Sequence, residues 1–310
     1  MDYKIIEANN GIRIKDMKDF EPKHIFECGQ AFRWYKENDG SYTTINRGKV
    51  LNIKREGKDI VFTNTNEEDF HDIWYDYFDL GRDYGAIKEE LSKDPVLREA
   101  IEFGWGIRVL KQNPFEMIIS FIISANNQIP RIKKSIELIS KRCGEKISNP
   151  YPYGNDANIP DDNSREYYKF ALPNTLAREN PDDLEQSCKV GYRAKYIVNT
   201  SRMIHNGEID IHSLYKYPTK EAKEILMKFP GVGPKVSDCI LLFGFNRDDV
   251  FPVDVWIKRV MEHFYIDSDM KLNDINEYAN DRFGGLAGYA QQYLFYYARE
   301  LGIGKKNTKI

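Results

Sequence analysis

The segment FPGVGPKVSDC, residues 229–239, constrains this chain more than any other because it forces a tight connection between two helices. The flanking stretches KEAKEILMKF and PKVSDCILLF repeat apolar residues at helical spacing, which predicts two amphipathic helices. Between them Gly231, Val232 and Gly233 allow only a short turn, in which glycine can adopt positive φ. The pattern predicts a helix–hairpin–helix, whose free backbone N–H groups can bind a DNA phosphate without sequence preference.

Glycine-rich loops of two other kinds do not fit this segment. A helix, not a strand, precedes Gly231 and no third glycine follows, which excludes the dinucleotide-binding fingerprint. A Walker phosphate loop needs four residues between its glycines, and only Val232 stands between these two. The hairpin is therefore not expected to bind a nucleotide cofactor.

Lys235 occupies the first turn of the second helix, where the helix macrodipole disfavours a cation by roughly 0.3 to 1 kcal/mol. This position leaves two interpretations open: a solvated lysine, or a lysine with a lowered pKa that acts as a nucleophile. Asp254 directly precedes the apolar-periodic stretch VWIKRVMEHF and is expected to cap that helix. A capping carboxylate is held rigidly and can stabilise a cation that forms nearby, so the two residues are a candidate catalytic pair.

Composition limits the class of protein. The 310 residues are 41% hydrophobic, no apolar run is long enough for a spanning helix, and MDYKIIEANN lacks the features of a signal peptide. We therefore expect a soluble cytoplasmic protein that does not bind membranes. The four cysteines form no CxxC and the five histidines form no cluster, so we expect no metal site and no cofactor.

The formal net charge of −3 argues against a protein that coats DNA through bulk attraction. Two stretches nevertheless carry a local excess of basic residues, RIKKSIELISKR (131–142) and KVGYRAK (189–195). Composition alone leaves each of them open to two interpretations, a solvated helix face or part of a DNA-binding surface.

The spacing of apolar residues divides the chain into an N-terminal part with strand-like runs and a longer part with helical periodicity. Short β-branched and aromatic runs between turn signals predict antiparallel strands at 31–35, 41–45, 49–55 and 59–65. Apolar and polar residues alternate in the third run, which predicts a strand with one buried face. From about residue 86 the spacing is helical, apart from a Pro-, Asn- and Asp-rich excursion over 144–173. We predict an α+β protein with a β domain over residues 1–100 and a helical domain over residues 101–310.

Five sequence blocks resemble, in the same order, the helix–hairpin–helix/GPD superfamily of DNA glycosylases and its bifunctional 8-oxoguanine DNA glycosylase/lyases. The blocks are CGQAFRW (28–34), SFIISANNQIPRI (120–132), VGYRAKY (190–196), FPGVGPKVSDC (229–239) with PVDV (252–255), and GYAQQYLFYYAREL (288–301). The resemblance implies an antiparallel, TBP-like sheet domain followed by an all-α domain with a cleft between two helical subdomains. It also implies an enzyme that repairs duplex DNA containing an oxidised guanine, without a metal or cofactor. Because a single lesion in a duplex has no two-fold symmetry, we expect a monomer.

The resemblance also implies a mechanism. Lys235 attacks the sugar C1′ as the N-glycosidic bond breaks, and the resulting Schiff base loses the 3′ phosphate by β-elimination. Asp254 stabilises the oxocarbenium-like transition state.

A base pocket is implied in the same way. The damaged nucleotide is flipped from the duplex, and the Gly29 carbonyl accepts the N7–H that 8-oxoguanine carries and guanine lacks. Gln291 binds the Watson–Crick edge of the base. Phe295 and Cys239 lie against its two faces.

The duplex surface is implied by the remaining blocks. Asn126 fills the gap left by the flipped base, and Tyr192 is the wedge inserted beside it. Arg131 and Arg193 bind the estranged cytosine, whose base edge suits forked donors. Trp256 departs from the family, in which many members have histidine at this position, so the local phosphate or pocket contact stays open.

Two other functions stay open as well. A glycosylase of the same superfamily could remove a different base. Adenine-mismatch and thymine-glycol enzymes, however, typically carry a C-terminal four-cysteine cluster that this chain lacks, and alkylbase enzymes commonly lack the hairpin lysine. A non-catalytic helix–hairpin–helix module would bind DNA and be indifferent to Lys235→Gln, whereas the enzyme would lose strand cleavage.

Overall fold

The computed structural model describes residues 3–152, 165–266 and 270–303. An antiparallel sheet formed by the N-terminal part of the chain is followed by a helical body. The predicted α+β class is therefore confirmed.

The N-terminal part contains six strands. They are β1 (Ile5–Ala8), β2 (Gly11–Ile14), β3 (Trp34–Lys36), β4 (Tyr42–Asn46), β5 (Lys49–Glu56) and β6 (Asp59–Thr63). All pairs are antiparallel, in the order β1-β2-β6-β5-β4-β3. Ile53 of β5 lies opposite Tyr42 of β4 and Phe62 of β6, and all three side chains are buried, so this register gives the sheet one apolar face.

Sequence periodicity located β4, β5 and β6 to within two residues, but it did not predict β1 or β2. The run predicted over 31–35 was too early, since only its last two residues enter β3. Asn52, expected on the solvent side of β5, is buried because its Nδ2 donates to Ser41 Oγ (2.8 Å) and Thr43 Oγ1 (3.1 Å). A polar side chain that finds partners can lie in the interior, which alternation alone does not reveal.

Fifteen α-helices are present in the described residues. They are α1 (Pro22–Glu27), α2 (Glu67–Asp69), α3 (Tyr75–Tyr77), α4 (Tyr84–Leu91), α5 (Pro95–Phe103), α6 (Pro114–Ser124), α7 (Ile129–Cys143), α8 (Pro173–Ala177), α9 (Pro181–Cys188), α10 (Arg193–His205), α11 (Thr219–Leu226), α12 (Pro234–Phe245), α13 (Val255–Phe264), α14 (Leu272–Phe283) and α15 (Ala287–Leu301). A π-helical turn, Phe70–Trp74, joins α2 to α3, and 3₁₀ turns cover Ile211–Lys216 and Gly284–Leu286.

Helix α6 is the central helix of the helical body. Asn113 caps it by accepting the Glu116 N–H (3.1 Å), and a proline with fixed φ occupies its first position. Every residue from 117 to 123 is buried, as expected of a helix that is apolar all round. Phe121 of α6 stacks on Phe243 of α12 with ring centroids 5.5 Å apart. The second helix of the hairpin is therefore fixed against the centre of the body.

The described residues form two main cores, one behind the sheet and one within the helical body. Side chains from Tyr84 to Ile101 pack in the helical core, whereas Leu110 packs in the sheet core. The chain thus passes between the two cores around residue 100 more than once. The domain boundary between residues 100 and 101 stays a prediction.

The middle of the excursion predicted over 144–173 lies outside the described residues. On either side of it, Ile147 and Tyr167 pack against Ile45 and Val50 of the sheet. The described ends of the excursion therefore attach the helical body to the sheet.

Candidate active site

The hairpin turn between α11 and α12 is held by a tyrosine of α10. Gly231 has φ +81°, and a Cβ atom at this position would lie only 2.6 Å from Cδ2 of Tyr196, so the turn accommodates only glycine. Val232 is buried, and its N–H donates to the Phe229 carbonyl (3.1 Å). That N–H is therefore already used within the turn.

Lys235 lies in the first turn of α12, after Gly233 at the N-cap and a proline at the first helical position. Its Nζ lies 5.6 Å from the centroid of the Phe121 ring, and it forms a side-chain hydrogen bond with Cys239, one turn further along. The lysine side chain thus lies along its own helix and points into the body of the protein.

Asp254 is the N-cap of α13, as expected, because its Oδ1 accepts the Ile257 N–H (2.8 Å). This bond fixes the carboxylate, and the negative charge of Asp254 raises the pKa of Lys235. The two candidate catalytic residues are therefore electrostatically coupled in the folded chain.

The protonation state of Lys235 differs from the expectation. Burial lowers the pKa of Lys235, but the electrostatic effects of Cys239 and Asp254 outweigh burial, and the pKa is raised. The expected lowered pKa is therefore wrong for the DNA-free protein. Burial raises the pKa of the Cys239 thiol to about 11. In the DNA-free protein the negative charge of Asp254 favours the protonated amine.

Two residues predicted to line the base pocket, Gly29 and Phe295, lie next to each other. Gly29 has φ +87°, and a Cβ atom there would lie 3.1 Å from Cε1 of Phe295 and 3.4 Å from Nη1 of Arg299. Gln291, one turn before Phe295 on α15, is buried, and its Oε1 accepts from Nε2 of Gln292 (2.7 Å). The structure therefore brings the Gly29 loop against the helix that carries both Gln291 and Phe295.

Arg193 and Asn126 are in contact through the backbone. Arg193 is buried, and it donates from Nε to the Ala125 carbonyl (3.1 Å) and from Nη2 to the Asn126 carbonyl (3.2 Å). These bonds support a left-handed turn at Asn126, which has φ +50° and is exposed. The forked donors expected to bind a cytosine are therefore engaged within the DNA-free protein.

Tyr192, the predicted wedge, is 56% exposed. Its ring meets Tyr196 edge to face at 5.9 Å, and the guanidinium of Arg193 lies 4.5 Å from its centroid. Because Tyr196 also packs on Gly231, the wedge is connected to the hairpin turn. Arg131 is exposed in the first turn of α7.

Comparison with known families decides what kind of protein this is. A family model described as the N-terminal domain of 8-oxoguanine DNA glycosylase matches residues 11–118. A second, described as HhH-GPD superfamily base excision DNA repair protein, matches residues 119–282, more than half of the chain. The chain belongs to the 8-oxoguanine DNA glycosylases of the HhH-GPD superfamily.

Individual relatives agree with this family. The chain is 37% identical over 230 residues to a probable N-glycosylase/DNA lyase of Methanothermobacter thermautotrophicus. The aligned region covers 68% of this chain and 69% of that protein. The solved structure of MBOgg1 with a low-affinity DNA ligand is 46% identical, with a TM-score of 0.89, over 97% of this chain and 100% of that one. The 8-oxoguanine glycosylase/lyase of Clostridium acetobutylicum, bound to double-stranded DNA with cytosine opposite 8-oxoguanine, is 43% identical, with a TM-score of 0.89, over 98% of this chain and 100% of that one. The resemblance found in five sequence blocks is confirmed.

One acidic residue beside the glycosylase lysine was not singled out from the sequence. Asp238 is buried on α12, forms an ion pair with Lys223 (2.7 Å) and accepts from Nδ2 of Asn276 (3.1 Å). Burial raises the pKa of Asp238 to about 6, against the lowering effect of Lys223. Asp238 also raises the pKa of Lys235, three residues earlier. That spacing on one helix was the only signal in the sequence that could have indicated the interaction.

Trp256, the departure from the glycosylase family, is partly buried, and its indole Nε1 has no hydrogen-bond partner among the described residues. A buried donor without an acceptor costs about 1 to 3 kcal/mol. Trp256 therefore offers an unused N–H close in sequence to Asp254.

Within residues 3–152, 165–266 and 270–303, no group of three or more His, Cys, Asp or Glu side chains is arranged to hold a metal ion. No helix in these ranges combines the length and the apolar composition that a membrane span requires.

Proposed function

We propose that this glycosylase removes 8-oxoguanine from duplex DNA in base excision repair and then cleaves the strand at the abasic site. The observation that supports the proposal is the environment of Lys235: its amine lies 5.6 Å from the centroid of the Phe121 ring, is hydrogen-bonded to Cys239 and is affected by the charge of Asp254, whose carboxylate is fixed as a helix cap. The family and the glycosylase/lyase relatives support the substrate class.

The reaction requires a neutral amine. Lys235 loses its proton, its Nζ bonds to C1′, and the C1′–N9 bond breaks, with the electron pair and a proton going to the departing purine. Asp254 stabilises positive charge that develops on the sugar before the new bond is complete. The bonded nitrogen gives up a second proton, and its lone pair then breaks the C1′–O4′ bond as O4′ takes up a proton, which leaves a protonated Schiff base on C1′. Removal of a proton from C2′ then breaks the C3′–O bond by β-elimination and expels the 3′ phosphate. Substitution of Lys235 or of Asp254 therefore tests the role proposed for each residue.

The proposed base pocket combines three elements. The Gly29 carbonyl accepts N7–H, Gln291 binds the Watson–Crick edge, and Phe295 and Cys239 contact the two faces of the ring. Guanine would present a bare N7 to the carbonyl, and a site built around a required hydrogen bond can discriminate by roughly 10⁴. Contact between Gly29 and Phe295 supports this grouping.

The proposed DNA surface combines the hairpin with the Tyr192 and Asn126 turns. Gly231 and Gly233 bind phosphate, Tyr192 wedges the duplex, and Asn126 occupies the gap. The two arginines proposed to bind the estranged cytosine start from different states. Arg131 is exposed, whereas Arg193 must exchange its carbonyl partners to reach a base.

The compartment and assembly of the enzyme follow from its substrate. An enzyme that repairs chromosomal DNA acts in the compartment that holds it, which we propose is the cytoplasm with its nucleoid. A single lesion in a duplex has no two-fold symmetry, so we propose that the enzyme acts as a monomer.

Borohydride trapping on a duplex with one 8-oxoguanine opposite cytosine tests the proposed function. We expect the wild-type protein to form a covalent adduct with DNA and Lys235→Gln to form none, because only this lysine forms the Schiff base. DNA binding should be largely kept. Lys228→Gln, which removes an exposed lysine just before the hairpin turn, is the matched control and should be trapped normally.

Three results would contradict the proposal in different ways. An adduct with Lys235→Gln would mean that another amine is the nucleophile. Adducts on another lesion but not on 8-oxoguanine would indicate a different substrate base. Binding to every duplex without trapping on any would indicate a non-catalytic module.

A further inference from the structure

Gln30 follows Gly29 in the loop between α1 and β3 and is completely buried. Its side chain is fully bonded: Nε2 donates to the carbonyls of Ile25 (2.9 Å) and Arg108 (2.7 Å), and Oε1 accepts the Leu110 N–H (2.8 Å). Breaking any of these bonds would leave a polar group unpaired in the interior. The amide therefore fixes the conformation of the loop.

The backbone of Gln30 connects the same loop to the helix that carries Lys235. Its carbonyl accepts from Nε2 of Gln112 (2.9 Å), and the Gln112 N–H donates to the Phe243 carbonyl on α12 (3.2 Å). A continuous path of hydrogen bonds thus runs from the neighbour of Gly29 to α12. Because hydrogen-bond lengths vary over only a few tenths of an ångström, the path fixes the distance between loop and helix.

Helix α15 restrains the loop from a second direction. Arg299 donates to the Glu27 carbonyl, and its guanidinium lies 5.4 Å from the centroid of the Phe295 ring. A Cβ atom at Gly29 would be 3.1 Å from the same ring, so Gly29 has little room to move toward α15. The loop is held between a hydrogen-bonded path to α12 and a packed contact with α15.

We propose that Gln30 is a positioning residue for base recognition, which places the Gly29 carbonyl relative to Lys235. This inference rests on the proposed function, in which that carbonyl reads the N7–H of 8-oxoguanine. Loss of the Gln30 bonds should impair a step that reads the base and spare a step that does not. An abasic site presents the sugar without a base and therefore separates these two steps.

The test compares Gln30→Glu with Asn52→Asp. Each change keeps the shape of a buried amide, but a protonated carboxyl donates one hydrogen where the amide donates two. Asn52 lies in β5 of the sheet, away from the Gly29 loop, and its donor bonds go to Ser41 and Thr43. It therefore controls for the cost of disturbing a buried amide as such.

We expect Gln30→Glu to lower the single-turnover rate of 8-oxoguanine release by about 10- to 100-fold. Borohydride trapping of the same variant on a preformed abasic site should stay within about twofold of wild type. Asn52→Asp should leave both rates near the wild-type values. This split between two substrates would not arise from partial unfolding, which lowers both rates together.

Equal losses on the two substrates, or unchanged release of 8-oxoguanine by Gln30→Glu, would overturn the positioning role. A wild-type protein that is trapped on abasic DNA but releases no 8-oxoguanine would instead overturn the proposed substrate. If circular dichroism shows that Gln30→Glu does not fold, Gln112→Leu decides. It removes one bond of the path at a partly buried residue and must give the same selective loss, and an unselective loss would overturn the proposal.

Discussion

At the scale of single residues, the protonation state of Lys235 determines at which pH the enzyme can react. Cys239 and Asp254 raise its pKa against the effect of burial. DNA phosphates add negative charge near the site, which favours the cation further. Only the neutral amine attacks carbon, so the reactive fraction increases as pH rises toward the raised pKa.

We predict that the single-turnover rate of Schiff-base formation rises between about pH 6 and about pH 9. The measurement is borohydride trapping with enzyme in excess over abasic DNA. DNA affinity of Lys235→Gln across the same range controls for changes in binding. A rate independent of pH would show that the amine is already neutral in the complex and would contradict this prediction.

The role of a residue was predictable from the sequence where its position within a single element determines its chemistry. A lysine in the first turn after the hairpin and an aspartate at a helix cap could be proposed as a pair from spacing alone. The raised pKa of Lys235 and the engagement of Arg193 by the Asn126 carbonyl depend on contacts between separate elements. No local pattern in the sequence contains that information.

At the scale of elements, the hairpin depends on a neighbouring helix as well as on its own glycines. Gly231→Ala would place a Cβ atom 2.6 Å from the Tyr196 ring at a φ of +81°. Gly40→Ala is a matched control in the turn between β3 and β4, because its φ is +82° and no heavy atom lies within 4 Å of the added Cβ. Both variants carry the backbone strain, but only the first also carries the clash.

We predict that Gly231→Ala lowers DNA affinity and lowers the free energy of unfolding by about 1 to 3 kcal/mol. Gly40→Ala should keep the affinity of the wild type. Fluorescence anisotropy with a duplex containing an abasic-site analogue measures affinity, and urea unfolding measures stability. Equal DNA affinity of the two variants would contradict a role for the Tyr196 contact.

Elements were predictable where their apolar residues recur at regular spacing or in short runs. The hairpin helices and β4 to β6 carry such patterns, although α12 is buried from Val236 to Phe245 and β4 from Tyr42 to Ile45. Strand β1 pairs only with β2 at the edge of the sheet, and its two central residues are exposed, so its sequence carries no alternating pattern. Edge pairing of this kind is visible only once the sheet is assembled.

At the scale of the whole molecule, Arg108 connects the two cores. Its guanidinium is 1% exposed and donates to the carbonyls of Asp19 (2.8 Å) and Asp79 (2.7 Å), which belong to the sheet side. The same group lies 4.3 Å from the ring centroid of Tyr84, which packs in the helical core. One buried side chain therefore makes contact with both bodies.

We predict that Arg108→Lys lowers the free energy of unfolding by about 2 to 4 kcal/mol. An ammonium group cannot satisfy both carbonyls in the geometry of the guanidinium fork. Arg98→Lys, at an exposed position on α5, should change stability by less than about 0.5 kcal/mol. Urea unfolding followed by both circular dichroism and tryptophan fluorescence measures the effect, and equal stabilities of the two variants would refute it.

Gly29 and Phe295 meet although they stand near opposite ends of the described chain. The loop that would read the damaged base and the helix that would stack on it therefore meet only through tertiary contact between distant parts of the chain. In the proposed enzyme, recognition of damage depends on how α15 docks against the sheet domain, so a change at either end of the chain can alter which base is accepted.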